Sequence, residues 1–300
     1  MTTERERQRK RDEARRLDLK RRSVLAGEAA AAAAEVEKAL AATETTAGSA
    51  AFFDVDNTVM QGATIFHFAK GLYRRKFFTK RDIAGALYKQ VYFRLVGEDP
   101  AHIAEARTQA LSFIKGHTVA EVQEVGEEIF DELMAARIWP GTRALAQLHL
   151  DRGDKVWLVT AAPIEIAQII ARRLGLTGAM GTVAEHVDGV YTGALVGDML
   201  HGPAKAEAIK ALALREGLDL SNCSAYSDSS NDLPMLSLVG DPCAVNPDAK
   251  LRAHARAMGW RIRDYRHGRK VVKAGFAAAA VGGALAGAAA TGAALRERRH

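Results

Sequence analysis

Cysteine is scarce in this chain, with Cys223 and Cys243 the only two among 300 residues. Neither stands in the close spacing of a cysteine metal site, and two cysteines make no disulfide framework. The nine histidines show no metal-ligand spacing either, which argues against a zinc enzyme. The N-terminus also lacks the apolar run of a secretory signal. We therefore expect a protein of the reducing cytoplasm.

Acidic residues are fewer than basic residues, but the difference is concentrated near the N-terminus. The net charge is +6, and residues 1–22 alone hold ten Lys/Arg against five Asp/Glu, so this tail carries nearly all of the excess. A composition of 48% hydrophobic and 26% charged residues is typical of a soluble globular protein. Because the excess basic charge lies in a tail and not in the folded part of the chain, nucleic acid is an unfavoured partner. Loss of binding on removal of residues 1–23 would identify such a role.

Short apolar runs alternate with helical patterns through most of the chain. The runs at 50–53, Lys155–Thr160 and Cys223–Tyr226 each predict a buried strand. Asp188–Gly189 predicts the turn of a hairpin over 182–195. This alternation predicts an α/β fold, with a Rossmann-like, mostly parallel sheet and a helical insertion after the first strand. Further helices are predicted at Thr142–Leu150, Pro163–Leu174, Pro203–Leu214 and Leu233–Val239, and closing strands at Cys243–Val245 and Trp260–Ile262.

Two carboxylates, Asp54 and Asp56, directly follow the first predicted strand. Such a pair beside a buried strand is costly unless a cation meets it, although the segment could also be a turn with a helix N-cap. Thr160 ends the second strand, where its hydroxyl could hold phosphate oxygens or could simply cap a helix. Lys205 lies in the first turn of its helix, a position that disfavours cations and suggests an anionic partner.

Asp228 and Asp232 form a second acidic pair after the third strand, in the segment SDSSNDL at 227–233. Asp232 alone could be an N-cap, whereas Asp228 stands at the strand end itself. Ligands of parallel sheets bind at the carboxyl ends of strands, so all four segments are predicted to face one site.

The ordered set Asp-Xaa-Asp-Xaa-Thr, Thr160, Lys205 and Asp-Xaa-Xaa-Xaa-Asp resembles the haloacid dehalogenase (HAD) superfamily over roughly Ala50–Ile262. The segments SDSSNDLPML and AVNPD, with the helical insertion, resemble its subfamily IB, the phosphoserine-phosphatase-like branch, in which the insertion is a cap. The resemblance implies a catalytic core at 49–62 and 138–265 and a helical cap at 63–137. Composition sets apart a charged tail and Ala-rich helix at 1–48 and a basic, Ala/Gly-rich C-terminal segment at 266–300.

The resemblance also implies a mechanism of phosphate monoester hydrolysis. Asp54 would be the nucleophile that forms an aspartyl-phosphate, and Asp56 the general acid and base. Mg²⁺ would be held by the Asp54 carboxylate, the Asp56 carbonyl and Asp228. Presence of Asp56 favours a phosphatase over a dehalogenase or a P-type ATPase.

Three further residues complete the implied site. Thr160 and Lys205 would bind the phosphate, and Asp232, together with Asn231, would orient Lys205 or a metal-bound water.

The substrate is less well defined by the sequence. Phosphoserine phosphatases that this chain resembles carry a Glu nine residues after the nucleophile and a Ser-Gly-Gly motif, whereas Ala63 and Thr160-Ala161-Ala162 stand here. We therefore expect a small phosphorylated metabolite or a lipid-linked phosphate, with phosphoserine as an alternative. A regulatory or membrane-tethered interaction protein on the same scaffold is a further alternative.

The C-terminal segment contains 22 uncharged residues, 274–295, between basic clusters. Its length suits a membrane helix, and Gly283 and Gly287 form a GxxxG pair, but Ala and Gly dominate the stretch. A membrane anchor, a helix packed on the protein and a disordered tail are the three alternatives. Membrane association through 266–300 is slightly favoured because the flanking cations would attract anionic lipid.

Overall fold

The computed structural model describes residues 18–20, 22–24, 27, 48–77 and 114–266. The chain falls into two compact units, Met1–Ile262 and Arg263–His300. Most of the predicted N-terminal segment 1–48, the middle of the predicted cap and nearly all of 266–300 lie outside the described residues. The predicted domain boundaries therefore stay predictions. In the described part of the chain, no helix is long and apolar enough to cross a membrane.

Six strands form the main sheet in the order β3-β2-β1-β6-β7-β8, and two more form a separate antiparallel ribbon, β4-β5. The pairs β1–β2, β1–β6, β2–β3 and β6–β7 are parallel. From β1 the strand order continues to β2 and β3 on one side and to β6, β7 and β8 on the other, so a switch point lies between β1 and β6. The strands are β1 Ala50–Phe53, β2 Lys155–Pro163, β3 Gly178–Thr182, β4 Ala184–Val187, β5 Val190–Leu195, β6 Ser224–Ser227, β7 Asp241–Val245 and β8 Arg261–Arg263.

The central strand β1 is buried along its whole length. Its last residue, Phe53, pairs with Leu158 of β2 on one side and with Tyr226 of β6 on the other. The Phe53 and Tyr226 rings stack with centroids 4.3 Å apart. A strand covered on both faces must be apolar throughout, which explains why the sequence shows a continuous apolar run rather than alternation.

Seven α-helices lie within residues 48–77 and 114–266, and the described residues 18–20, 22–24 and 27 are helical as well. Pro140 and Pro203 each begin a helix, and Gly175 and Gly217 each end one with positive φ, as a left-handed C-cap requires. The helices are α1 Thr64–Arg74, α2 Val119–Ile129, α3 Pro140–Asp151, α4 Ile164–Leu174, α5 Pro203–Glu216, α6 Leu233–Leu236 and α7 Ala249–Ala257.

Several predicted boundaries differ from the structure by one or two residues, and two differ by more. The helix predicted at Leu233–Val239 ends at Leu236, because the chain then turns so that the amide of Gly240 donates to the carbonyl of Leu220. A Cβ at Gly240 would overlap the Ser221 carbonyl oxygen at 1.9 Å, so only glycine allows this approach. Strand β2 runs past Thr160 to Pro163, where it pairs irregularly with Thr182 of β3.

The described part of the insertion between β1 and β2 is helical. Helix α2 continues through a π-helical turn, Phe130–Met134, and a 3₁₀ turn, Ala135–Arg137. It packs on the core helix α4, where Gly126 lies so close that a Cβ would meet Ile169 Cδ1 at 2.7 Å. Arg173 of α4 donates to Glu127 at 2.8 Å and to Asp131 at 2.9 Å. The predicted fold, a Rossmann-like α/β core with a helical insertion after the first strand, is confirmed.

Candidate active site

Four carboxylates surround the switch point of the sheet. Asp54 directly follows β1 and Asp228 directly follows β6, so the parallel strands deliver both to the same edge. The amide of Asp54 donates to the carbonyl of Tyr226 at 2.9 Å, which extends the β1–β6 pairing by one residue. Asp232 lies in the 3₁₀ turn after β6, and Asp56 lies two residues beyond Asp54.

Lys205 joins the two acidic segments. Its ammonium donates to Asp54 Oδ1 at 2.6 Å and to Asp232 Oδ2 at 2.8 Å, and its side chain is 4% exposed. Gly202, with φ +54°, and Pro203 turn the chain into α5 and place Lys205 in the first helical turn. The anionic partner that a cation at this position predicts is therefore present.

Hydroxyl groups hold the same carboxylates from the other side. Thr58 Oγ1 donates to Asp54 Oδ2 at 3.0 Å, and Ser227 Oγ donates to Asp232 Oδ2 at 2.7 Å. Asp232 stands at the N-cap position of α6, but it makes no side-chain capping bond, because its carboxylate accepts from Lys205 and Ser227 instead. Both oxygens of Asp54 are thus oriented by the protein.

The balance of charge at the site is negative. Burial raises the pKa of Asp54 to about 8, with the Lys205 ammonium opposing the rise and Asp232 and Asp56 adding to it. Burial, followed by the Asp232 charge, raises the pKa of Asp228 to about 6. Burial alone would lower the pKa of Lys205, but Asp54 and Asp232 outweigh it and raise the pKa above its ordinary value. One ammonium faces four carboxyl groups, so the site favours a further cation.

Asp56 is fixed by the start of the insertion. Its Oδ1 accepts from the amide of Thr64 at 2.8 Å and from Thr64 Oγ1 at 2.5 Å. Helix α1 has Ala63 at its N-cap, which offers no capping side chain, so Asp56 satisfies a helix N–H from eight residues upstream. Asp56 is therefore not the N-cap residue, but its carboxylate serves the first turn of α1 while the residue keeps its place at the site.

Thr160 is buried near the end of β2, and its Oγ1 accepts from the amide of Ala162 at 3.2 Å. The following helix α4 begins after Pro163, so Thr160 does not cap it. Gly181 of β3 packs directly on this segment: a Cβ there would lie 2.8 Å from the Ala162 carbonyl oxygen. The backbone after Thr160 is thus held by its neighbour strand.

Asn231 is the one predicted site residue that the structure leaves exposed. Sequence reasoning gave no role to Thr64 or Asp248. Asp248 caps α7 through Leu251, accepts from the amide of Ser230 at 2.7 Å and donates its own amide to the carbonyl of Asp228 at 2.8 Å. Its position before a helix was the available signal.

The donors at the site are carboxylate and carbonyl oxygens, which suit Mg²⁺ or Ca²⁺ rather than zinc. Within residues 48–77 and 114–266, no three His, Cys, Asp or Glu side chains converge as a metal site. Mg²⁺ commonly uses only one or two carboxylates and keeps several waters, so this donor set fits it.

The fold is a doubly wound α/β sheet with aspartates and a buried lysine at its switch point, which is where such sheets bind their ligands. A family model described as haloacid dehalogenase-like hydrolase matches residues 51–237. The chain belongs to this family, and the prediction of a phosphoric monoester hydrolase is confirmed as an enzyme class.

Individual relatives agree with this placement. The chain is 56% identical over 252 residues to phosphoserine phosphatase SerB1 of Mycobacterium tuberculosis, covering 84% of this chain and 82% of the relative. It is 37% identical over 218 residues to the inhibition of morphological differentiation protein of Streptomyces azureus, covering 72% and 78%. A solved protein of unknown function from Bordetella pertussis is similar with a TM-score of 0.64 and 28% identity, covering 73% of this chain and all of that one.

Proposed function

We propose that this protein hydrolyses a phosphate monoester through an aspartyl-phosphate on Asp54, with Mg²⁺ as cofactor. The observation that carries the proposal is the setting of Asp54, a buried carboxylate held by Lys205 and Thr58 at the switch point. Asp56 follows two residues later as a half-buried second carboxyl group.

The proposed reaction has two steps. An Asp54 carboxylate oxygen attacks phosphorus, the ester P–O bond breaks, and Asp56 gives its proton to the departing alkoxide. Asp56 then takes a proton from water, whose oxygen attacks the phosphoryl group, releases inorganic phosphate and restores the Asp54 carboxylate. Because the same carboxyl group gives and then regains one proton, the cycle needs no other acid.

Three side chains position the reactants. Lys205 offsets the negative charge of Asp54 and of the phosphoryl group, and Asp232 keeps its ammonium in place at 2.8 Å. The Thr160 hydroxyl, whose oxygen accepts from Ala162, can donate its proton to a phosphate oxygen. Phosphoryl transfer depends mainly on such positioning and charge neutralisation.

Mg²⁺ would be held by the Asp54 carboxylate, the Asp56 carbonyl and Asp228. When bound, it would supply positive charge to the phosphoryl oxygens. The raised pKa values of Asp54 and Asp228 support this assignment, since burial, with Asp232 and Asp56 adding to it, disfavours the charged carboxylates that a bound cation would stabilise. Asn231 is exposed and we assign it no part in the chemistry.

The test is hydrolysis of p-nitrophenyl phosphate by the purified full chain with Mg²⁺ and with EDTA. We expect Asp54→Asn to reduce turnover to background, because an amide cannot attack phosphorus. Asp188→Asn is the matched control: Asp188 is exposed at a hairpin turn with φ +51°, a conformation that Asn adopts readily. Retained activity in Asp54→Asn, or full activity in EDTA, would overturn the mechanism.

Phosphoserine is the second candidate substrate, favoured by the 56% identity to the relative named phosphoserine phosphatase. Against it stand Ala63, which brings no charge toward an amino acid, and the side chains of Ala161 and Ala162. A panel of phosphate monoesters that includes phosphoserine separates the two. A small phosphorylated metabolite in the cytoplasm is the substrate class that we favour.

A further inference from the structure

We propose that a small apolar cavity beside Asp56 binds the alcohol part of the substrate and selects uncharged alkyl esters over amino-acid esters. This inference rests on the proposed function, because it takes Asp56 as the group that protonates the leaving oxygen. It adds the chemical class of the alcohol and the residues that select it.

The cavity has a volume of about 80 Å³ and lies between three elements of the fold. Ile65 of α1 forms one wall, Ala161 and Ala162 after Thr160 form a second, and Leu195 and Met199 at the end of the β4–β5 ribbon form a third. Asp56 is part of the same lining. A proton donor and an apolar cavity therefore share one space.

The described part of the lining offers no cation that could pair with an amino-acid carboxylate. Pro163 has no N–H, and the hydroxyl of Thr182 is already engaged, because it donates to the Ala161 carbonyl at 2.7 Å and accepts from the Leu200 amide at 3.0 Å. Among the described residues, the cavity lining contains no Lys, Arg or His. An amino-acid carboxylate would lose its hydration here without gaining a partner, which is strongly unfavourable.

The size of the cavity indicates what fits. A water molecule occupies about 30 Å³ in the liquid, so a cavity of about 80 Å³ holds roughly three groups of that size. With Asp56 at the leaving oxygen, the carbons attached to that oxygen extend into the apolar walls. Each buried methylene favours binding by about fourfold, so a three- or four-carbon alcohol should gain at least tenfold over methanol.

The decisive comparison uses two esters of nearly equal shape. Isobutyl phosphate carries two methyl groups where O-phospho-L-serine carries an ammonium and a carboxylate. We expect kcat/KM for isobutyl phosphate to be at least tenfold higher than kcat/KM for phosphoserine. It should exceed kcat/KM for methyl phosphate by a similar factor. Equal or higher kcat/KM for phosphoserine would overturn the inference and leave the phosphatase function standing.

Substitutions in the cavity wall test which residues cause the preference for alkyl esters. Leu195→Ala should lower kcat/KM for isobutyl phosphate severalfold and leave that for methyl phosphate unchanged, since methanol does not reach the wall. Met199→Ala tests the same wall from an exposed position if Leu195→Ala fails to fold. Leu214→Ala, at a side chain 86% exposed on α5, is the control and should change neither value. An unchanged preference in both wall variants would refute the assignment of the cavity.

A binding experiment separates this inference from the proposed function. 3-Methylbutylphosphonate and 2-amino-4-phosphonobutanoate mimic the two esters but cannot be hydrolysed, so their Kd values can be measured by calorimetry in Mg²⁺ buffer without turnover. We expect the first to bind at least tenfold more tightly. If no ester is hydrolysed, the proposed function fails, but the two phosphonates still test whether the cavity prefers an alkyl group. Comparable Kd values, or no binding of either phosphonate, would overturn the inference about the cavity.

Discussion

The buried contact among Lys205, Asp54 and Asp232 makes a quantitative prediction about stability. Lys205→Met keeps most of the aliphatic stem but removes the ammonium that lies 2.6 Å from Asp54 and 2.8 Å from Asp232. Both carboxylates are almost fully buried, so neither can recover its hydration by turning outward. Removing one partner of a buried ion pair typically costs about 3–5 kcal/mol, because an unpaired charge is left behind.

Urea unfolding of the metal-free chain, followed by tryptophan fluorescence, measures this cost. We expect the free energy of unfolding to fall by about 3–5 kcal/mol, which is two to four orders of magnitude in the unfolding equilibrium. Lys210→Met is the matched control on the same helix. Lys210 is exposed and pairs with Glu207 at 3.1 Å, so its loss should cost only about 0.5 kcal/mol.

A second substitution tests the cause. If the cost arises from unpaired carboxylates, Asp54→Asn in the Lys205→Met background should recover at least about 1 kcal/mol, since it removes one buried charge. Mg²⁺ should also stabilise Lys205→Met more than the native chain, because it replaces the missing positive charge. A Lys205→Met variant no less stable than Lys210→Met would refute the reasoning from burial and charge.

Three further predictions follow from single contacts. Asp56→Asn should lower kcat/KM, which reports formation of the aspartyl-phosphate, by about 10²–10⁴-fold for an alkyl phosphate and by much less for p-nitrophenyl phosphate, because nitrophenolate leaves without a proton; equal losses in kcat/KM would contradict a general acid. Gly181→Ala places a Cβ 2.8 Å from the Ala162 carbonyl oxygen and 2.9 Å from the Ile164 amide, so we expect a loss of about 1–3 kcal/mol in unfolding free energy and a raised KM. An unchanged unfolding free energy and KM would show that the backbone at 162–164 moves aside for the new Cβ at little cost. Burial raises the pKa of Glu165, so the folded chain holds a proton that the unfolded chain releases above about pH 4.5, and stability should fall as the pH rises beyond that value. Glu165→Gln should weaken this dependence in urea midpoints compared at pH 5 and pH 8; an identical pH dependence would count against a protonated Glu165.

The central part of the site could be predicted from the sequence because local patterns determine it. A continuous apolar run predicts a buried strand, and a polar residue directly after the run must then lie at the sheet edge, as Asp54 and Asp228 do. A lysine in the first turn of a helix requires a nearby anion, and Lys205 has two.

Other features depend on contacts between distant segments, which no local pattern encodes. Asp56 caps α1 only because the chain between them folds back, so the spacing of eight residues to Thr64 carries no signal by itself. The cavity wall comes from Leu195, at the end of a ribbon predicted only as a hairpin. The guanidinium of Arg173 on α4 lies over the ring of Phe130 at the start of the π-helical turn Phe130–Met134, and this contact joins segments far apart in the sequence.

The position of Asp54 at the end of β1 has a consequence for motion. Its amide is bonded to Tyr226, and β1 is buried on both faces between two parallel partners, so this amide should exchange with solvent only when the whole unit unfolds. The carboxylate that we propose as nucleophile therefore belongs to the part of the protein that we expect to open last. If the cavity binds the alcohol, substitutions that adapt the enzyme to new alcohols should occur in the side chains of the cavity and the first turn of α1, while β1 stays rigid.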